Sequence, residues 1–138
     1  MQFELKKSQI DIAAKAIINL LPNGGIVLLR GNLASGKTTL VKHIASFCEI
    51  KKEIVSSPTF SVMNAYAPDF FHYDIYQKGI QGIIESGLFE NLQQKGYHLV
   101  EWGCEELEEM LKRYALPYVV VEIVLSAQDK RIYKVHNA

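Results

Sequence analysis

The sequence predicts an α/β fold, with a central mixed sheet flanked by helices and antiparallel hairpins beside it. Three observations carry that prediction. Short apolar runs of strand length recur, at Ile26-Val27-Leu28-Leu29 and Tyr97-His98-Leu99-Val100. The first run leads at once into Gly31-Asn32-Leu33-Ala34-Ser35-Gly36-Lys37-Thr38, which fits G-x-x-x-x-G-K-[ST], a phosphate-binding loop between strand and helix. Turn-bounded pairs of extended segments then read as hairpins, near 61–66 with 70–75 and near 118–125 with 131–135.

In chain order, Gln2 to Leu5 reads as a short edge strand. Ser8 is a good N-cap, and Ile10, Ala13, Ala14, Ile17, Ile18 and Leu21 keep the spacing of one helix face. Pro22-Asn23-Gly24-Gly25 ends that helix. After the buried strand and the loop, Thr38 to Phe47 is a helix with Leu40, Val41 and Ile44 on one side. Lys51-Lys52-Glu53 is a polar turn. Ile54-Val55 starts a second strand, which stops at Ser56-Ser57-Pro58-Thr59-Phe60. The first hairpin turns at Pro68-Asp69, and Gly79, Gly82 and Gly87 interrupt a weakly helical stretch after it. Tyr97 to Val100 is a buried strand ending at Glu101-Trp102. Glu105 to Arg113 is a helix, and Pro117 closes the loop beyond it. The last hairpin turns around Gln128-Asp129. No repeat, low-complexity segment or linker divides the chain, so one domain over residues 1–138 is expected.

Composition excludes some functions. The formal net charge is zero, which argues against a protein that holds nucleic acid alone by counterion release. No apolar run approaches the roughly 18 residues of a membrane helix, and the N-terminus lacks a signal-peptide pattern. A cytoplasmic setting without membrane contact is expected. Cys48 and Cys104 are far apart and in no metal spacing, so they read as free thiols in a reducing compartment.

The loop's residue types each have a reason. Gly31 and Gly36 let the backbone bend and approach a phosphate with no Cβ in the way. Successive N–H groups from Asn32 through Thr39, with the helix N-terminus, point at the anion. Lys37 brings a compact charge to the outer phosphates of a nucleotide such as ATP, and the Thr38 hydroxyl is the expected Mg²⁺ ligand. Such a site also needs an acid at the end of a neighbouring strand, and two fit: Glu101 after His98-Leu99-Val100, and Asp74 after Phe70-Phe71-His72-Tyr73. Each is a candidate for metal binding and catalysis; the plain alternative is a solvated carboxylate at a strand end. Thr59 could sense the γ-phosphate, although Ser-Pro-Thr by itself is simply a turn.

Other residues are read more plainly. His72, two residues before Asp74 on the same strand face, is either its supporting partner or structural. His43 falls on the exposed side of the loop's helix, His136 near a frayed end, and His98 in a satisfied, partly buried place. Trp102 is core or a wall of the nucleotide pocket. The run Glu105-Glu106-Leu107-Glu108-Glu109 is a solvated helix face or an acidic docking surface. The chain has no Asn-Lys-x-Asp, so guanine reading is unsupported and adenine is expected, and no Ser-Gly-Gly-Gln of a transporter ATPase. Arg30, Arg113 and Arg131 are too few for the Arg-rich lid that closes over phosphate in small-molecule kinases.

Gly31 to Thr39, Ser57-Pro58-Thr59-Phe60, His72-Tyr73-Asp74-Ile75-Tyr76 and Val100-Glu101-Trp102 come in the order and spacing of the TsaE (YjeE) family. The chain resembles that family over nearly its whole length. The resemblance implies a P-loop NTPase-like fold and a bacterial ATPase needed for the threonylcarbamoyl modification of adenosine 37 in tRNAs that read codons starting with A. It implies two partners, TsaB and TsaD, with tRNA reached only indirectly through the complex. It assigns P-loop roles to Lys37 and Thr38, a switch-like place to Thr59, acidic site roles to Asp74 and Glu101, and a neighbouring place to Trp102. The chain departs from the family at Asn32, where Asp is usual, at Ala34-Ser35, where Gly-Ala is usual, and at Gln77, where Arg is usual.

The expectation is therefore a domain that binds MgATP and hydrolyses it slowly. With no arginine finger to assign, a partner would raise the rate. The adenine base is expected near Arg131, between the N-terminal segment and the C-terminal hairpin. The alternatives are an independent small-molecule or nucleoside kinase, which needs an acceptor pocket and lid, and a nucleotide-dependent binding module in which hydrolysis is incidental.

Overall fold

A computed structural model describes residues 1–32, 36–56, 63–76, 79–127 and 129–137. They form strands β1 (Gln2–Lys6), β2 (Gly24–Arg30), β3 (Met63–Ala67), β4 (Phe70–Asp74), β5 (Gly96–Glu101), β6 (Tyr118–Leu125) and β7 (Lys130–Asn137). The α-helices are α1 (Ile10–Leu20), α2 (Lys37–Phe47), α3 (Ile80–Glu85), α4 (Leu88–Leu92) and α5 (Glu105–Arg113). The strands make one seven-stranded sheet in the order β1-β7-β6-β2-β5-β4-β3. Its centre is parallel: β2 pairs with both β5 and β6, and β5 with β4. Antiparallel pairing adds β7 and β1 at one edge and β3 at the other. The expected mixed sheet with flanking hairpins is what forms.

The central strands are apolar throughout because both faces are covered. Ile26, Val27, Leu28 and Leu29 of β2 are all buried. Val27 and Leu29 point to the layer made by Ala13, Ala14 and Ile17 of α1 with Leu40, Val41 and Ile44 of α2. Ile26 and Leu28 point to Ile83 of α3, Leu92 of α4, and Leu107 and Leu111 of α5. Each such aliphatic burial stabilises the fold by about 1.5–3 kcal/mol, so alternate residues of one strand bind the two helical layers to the sheet. The C-terminal ends of β2, β4 and β5 are thereby held side by side.

Several local expectations give way to packing. Ser8 caps no helix: Lys7–Gln9 form a 3₁₀ turn, α1 starts only at Ile10, and the Gln9 side chain accepts from the Lys6 N–H at 3.0 Å. Ile54 and Val55 form no strand. Lys52–Ile54 is another 3₁₀ turn, with Ile54 52% exposed and Val55 tucked into the core. Two apolar residues cannot choose their pairing, and among the described residues no strand pairs with them. The weakly helical glycine-rich stretch resolves into α3 and α4, with Gly79 and Gly87 just before each. Among the described residues no helix is long and apolar enough to cross a membrane.

Candidate functional site

The strand–loop–helix unit forms as expected: β2 ends at Arg30 and α2 begins at Lys37. Of the loop residues expected to bind a nucleotide, Leu33, Ala34 and Ser35 lie outside the described residues, as do Thr59 and Gln77. Gly36 sits at φ 100°, a left-handed backbone that a side chain would strain. A Cβ there would also stand 3.5 Å from the Nε of Arg131, so this β7 arginine lies directly over the start of α2. Thr39 follows in the first turn of the helix, whose leading N–H groups have no acceptor within the helix.

Lys37 is only 3% exposed. Its Nζ donates to the carbonyls of Gly31 at 2.7 Å and Asn32 at 3.0 Å, and lies 3.8 Å from the centre of the Trp102 ring. Burial lowers its pKa from the usual lysine range, while Glu101 and Asp74 act to raise it. The ammonium is thus held by neutral groups that an anion can replace.

Trp102 packs against the edge of the core layer formed by α3, α4 and α5. It is half-buried at φ 67°, its backbone N–H donates to the Leu29 carbonyl at 2.8 Å, and its ring meets Tyr76 at 4.5 Å. Left-handed backbone costs a non-glycine residue of order 1 kcal/mol or more and persists where surroundings impose it. The neighbouring Gly103 sits directly against β2: a Cβ there would fall 2.8 Å from the Leu28 Cβ.

The two expected acids meet. Asp74 and Glu101 are register partners at the ends of β4 and β5, the end of an open α/β sheet where ligands bind. Their environments differ. Glu101 is 3% exposed, and its Oε2 accepts from the Thr38 hydroxyl at 2.7 Å and from His72 Nε2 at 2.5 Å. Asp74 is half-buried; burial chiefly pushes its carboxyl above the usual carboxylate range, though the Tyr76 N–H, donating to Oδ1 at 3.0 Å, pulls the other way. One carboxylate is locked to the start of α2, and the other stands more open beside it.

His72 belongs to this cluster, but through Glu101 rather than through Asp74. It is fully buried, and its Nδ1 lies 2.8 Å from the hydroxyl of Tyr66. Tyr66 and Ser56 complete this chain of contacts and are not legible as site residues in the sequence, because an alternating strand position gives a tyrosine no local mark of a polar role. His98 is a satisfied buried residue, as expected. His43 does not face solvent alone: its Nδ1 lies 2.5 Å from Asp11 of α1, because α1 packs along α2. Glu108 departs from the solvated acidic face, since Arg30 Nη2 at 3.0 Å and the Tyr118 hydroxyl at 2.8 Å both donate to it. Arg30 Nε also donates to the Gly103 carbonyl at 2.6 Å, so that arginine braces the turn after β5.

These groups fit a phosphate chain and its magnesium. A buried cation rests on exchangeable carbonyls, a helix begins at the same point, and a threonine hydroxyl lies on a buried carboxylate within hydrogen-bond distance.

Comparison with known proteins gives a consistent pattern. A family model described as Threonylcarbamoyl adenosine biosynthesis protein TsaE matches residues 5–133. The tRNA threonylcarbamoyladenosine biosynthesis protein TsaE of Rickettsia prowazekii is 34% identical, over 96% of this chain and 90% of its own length. That of Rickettsia bellii is 36% identical, over 90% of this chain and 85% of its own. The crystal structure of Bacillus subtilis YdiB superposes with a TM-score of 0.66 at 21% identity, covering 100% of this chain and 86% of that one, a likeness of fold.

Proposed function

The chain belongs to the TsaE family and so to threonylcarbamoyladenosine biosynthesis in tRNA, and within that role we propose that it binds and hydrolyses MgATP. The observation that carries this reading is the convergence of Lys37, Thr38, Glu101 and Asp74 where β2, β4 and β5 end against the start of α2. In this reading the amides from Asn32 through Thr39 cradle the phosphates, and Lys37 leaves its two carbonyls for the outermost ones. Thr38 and Glu101 would hold magnesium, with Asp74 beside them; when bound, the metal neutralises charge on the phosphates. Asp74, Glu101 and Thr59 act on the attacking water and the γ-phosphate. Trp102 walls the pocket, and the adenine lies toward Arg131.

Weak intrinsic turnover follows from the arginines. Arg30 is engaged with Gly103 and Glu108, Arg113 ends α5, and Arg131, which lies over the start of α2, is assigned here to the base rather than to the γ-phosphate. A partner that supplies or orders a cation would accelerate hydrolysis. TsaB and TsaD are the proposed partners, in the cytoplasm, with tRNA engaged through their complex. Steady-state ATPase with and without both partners, alongside a screen for phosphorylated small molecules, tests this. Stimulated release of inorganic phosphate is expected; a phosphorylated acceptor would make the chain a kinase, and binding without turnover a nucleotide-dependent module.

A further inference from the structure

We infer that Tyr66 is a positioning residue for the magnesium side of the site, acting through His72 on Glu101; this rests on the nucleotide reading above. Thr38 Oγ1 donates to Glu101 Oε2 at 2.7 Å, and His72 Nε2 contacts the same oxygen at 2.5 Å. His72 Nδ1 lies 2.8 Å from the Tyr66 hydroxyl. That hydroxyl also lies 2.7 Å from the Ser56 carbonyl and accepts from the Ser56 N–H at 3.2 Å, so its one proton is shared between His72 Nδ1 and the Ser56 carbonyl. The chain therefore runs from the first turn of α2 across β5 and β4 to β3, and ends on the exposed main chain of Ser56.

The geometry explains why the last link matters. Glu101 offers Oε2 to two donors at once, so its carboxylate plane is set by where His72 stands. His72 is fully buried, and a buried imidazole with one polar tie can tilt about it. The second tie, to Tyr66, fixes the ring plane, and the N–H and carbonyl of Ser56 both hold the Tyr66 hydroxyl. Partners of this outer kind orient ligating groups and commonly change affinity or activity by about 10–100-fold when removed. The Tyr66 ring is also packed, 6.2 Å from Phe70 and 5.8 Å from His72 between centroids. Removing the hydroxyl alone leaves that packing in place.

The test is Tyr66→Phe in the whole chain, read by Trp102 fluorescence on titration with ADP, with and without Mg²⁺, and by steady-state ATPase. The expected result is metal-free ADP affinity within about threefold of wild type, with the gain from Mg²⁺ and the turnover number each lowered about tenfold. Thermal unfolding should fall somewhat, because buried His72 Nδ1 loses a partner, so affinity and turnover are both read per folded molecule. Equal Mg²⁺ enhancement in variant and wild type overturns the inference while leaving the nucleotide reading intact. A loss that only tracks the fraction unfolded also overturns it. If wild type itself gains nothing from Mg²⁺, the nucleotide reading falls, and this inference with it.

Discussion

Two hydrogen-bonded chains cross β4 and β5 on opposite faces. On the α1/α2 face, Thr38, Glu101, His72 and Tyr66 join end to end. On the α3/α4/α5 face, Asn91 Nδ2 donates to the Tyr73 hydroxyl at 2.7 Å, that hydroxyl donates to His98 Nδ1 at 2.7 Å, and His98 Nε2 donates to the Gln94 carbonyl at 2.8 Å. Both histidines are buried, at 0% and 1% exposure. They differ in where their chains end. His98 has only neutral partners, and burial lowers its pKa from the ordinary histidine value, so it is held as a neutral strut. Burial likewise raises the Tyr73 phenol well above its usual value. The His72 chain ends on a carboxylate at the first turn of α2. Burial alone therefore does not distinguish the two histidines; the charged group at the end of the His72 chain does.

Substitutions at the two ends should separate the networks. The largest effect belongs to the first turn of α2. Lys37→Ala and Thr38→Ala should lower ATPase by about a hundredfold or more, with thermal unfolding close to wild type, because their polar atoms serve a ligand. Wild-type turnover in either would break the assignment of this face as the active one.

Next come the paired acids. Asp74→Ala and Glu101→Ala should leave ADP affinity within about tenfold, roughly 1.4 kcal/mol, while hydrolysis falls much further. Asp74→Asn sharpens this. Burial raises the Asp74 pKa, so its ionised form costs stability at any pH above the unfolded value. The amide removes that cost, and Asp74→Asn should unfold at the same temperature as wild type or slightly higher while losing turnover. Nucleotide titration, ATPase and thermal unfolding on the same samples decide it.

The opposite face should show the reverse. Tyr73→Phe leaves Asn91 and His98 short of a partner and should destabilise the fold by about 1–3 kcal/mol, with turnover per folded molecule unchanged in urea-monitored and kinetic assays. A turnover defect there would dissolve the contrast between the two faces.

The smallest expected effect is a pH slope. His98 has a folded pKa below the ordinary histidine value of 6.5, lowered by burial. The unfolded chain takes up a proton near that value and the folded one does not, so this stability is full above it and is lost as pH falls below it. Melting temperature should drop more steeply from neutral to mildly acidic pH in wild type than in His98→Gln. Parallel curves would mean that His98 is not the group responsible.

Much of this was written in contiguous residues. The strand–loop–helix around Gly31 to Thr38 and the helix Glu105–Arg113 were legible because periodicity and loop chemistry act over a few neighbours. So were both acids at their strand ends. Tertiary structure decided which groups meet. His72 was legible as a partner on the face of Asp74, yet it bonds to Glu101. The parallel register sets Asp74 opposite Glu101 and brings β5 within reach of His72. Tyr66, the Asp11 partner of His43, and the failure of Ile54-Val55 to form a strand depend equally on distant segments. Side chains alternate across a strand with a period of two, so a slip of one residue would turn Glu101 to the other face and pair neither His72 nor Thr38. Such a register is fixed only when the two helical layers close on the sheet, and no short stretch of sequence contains it.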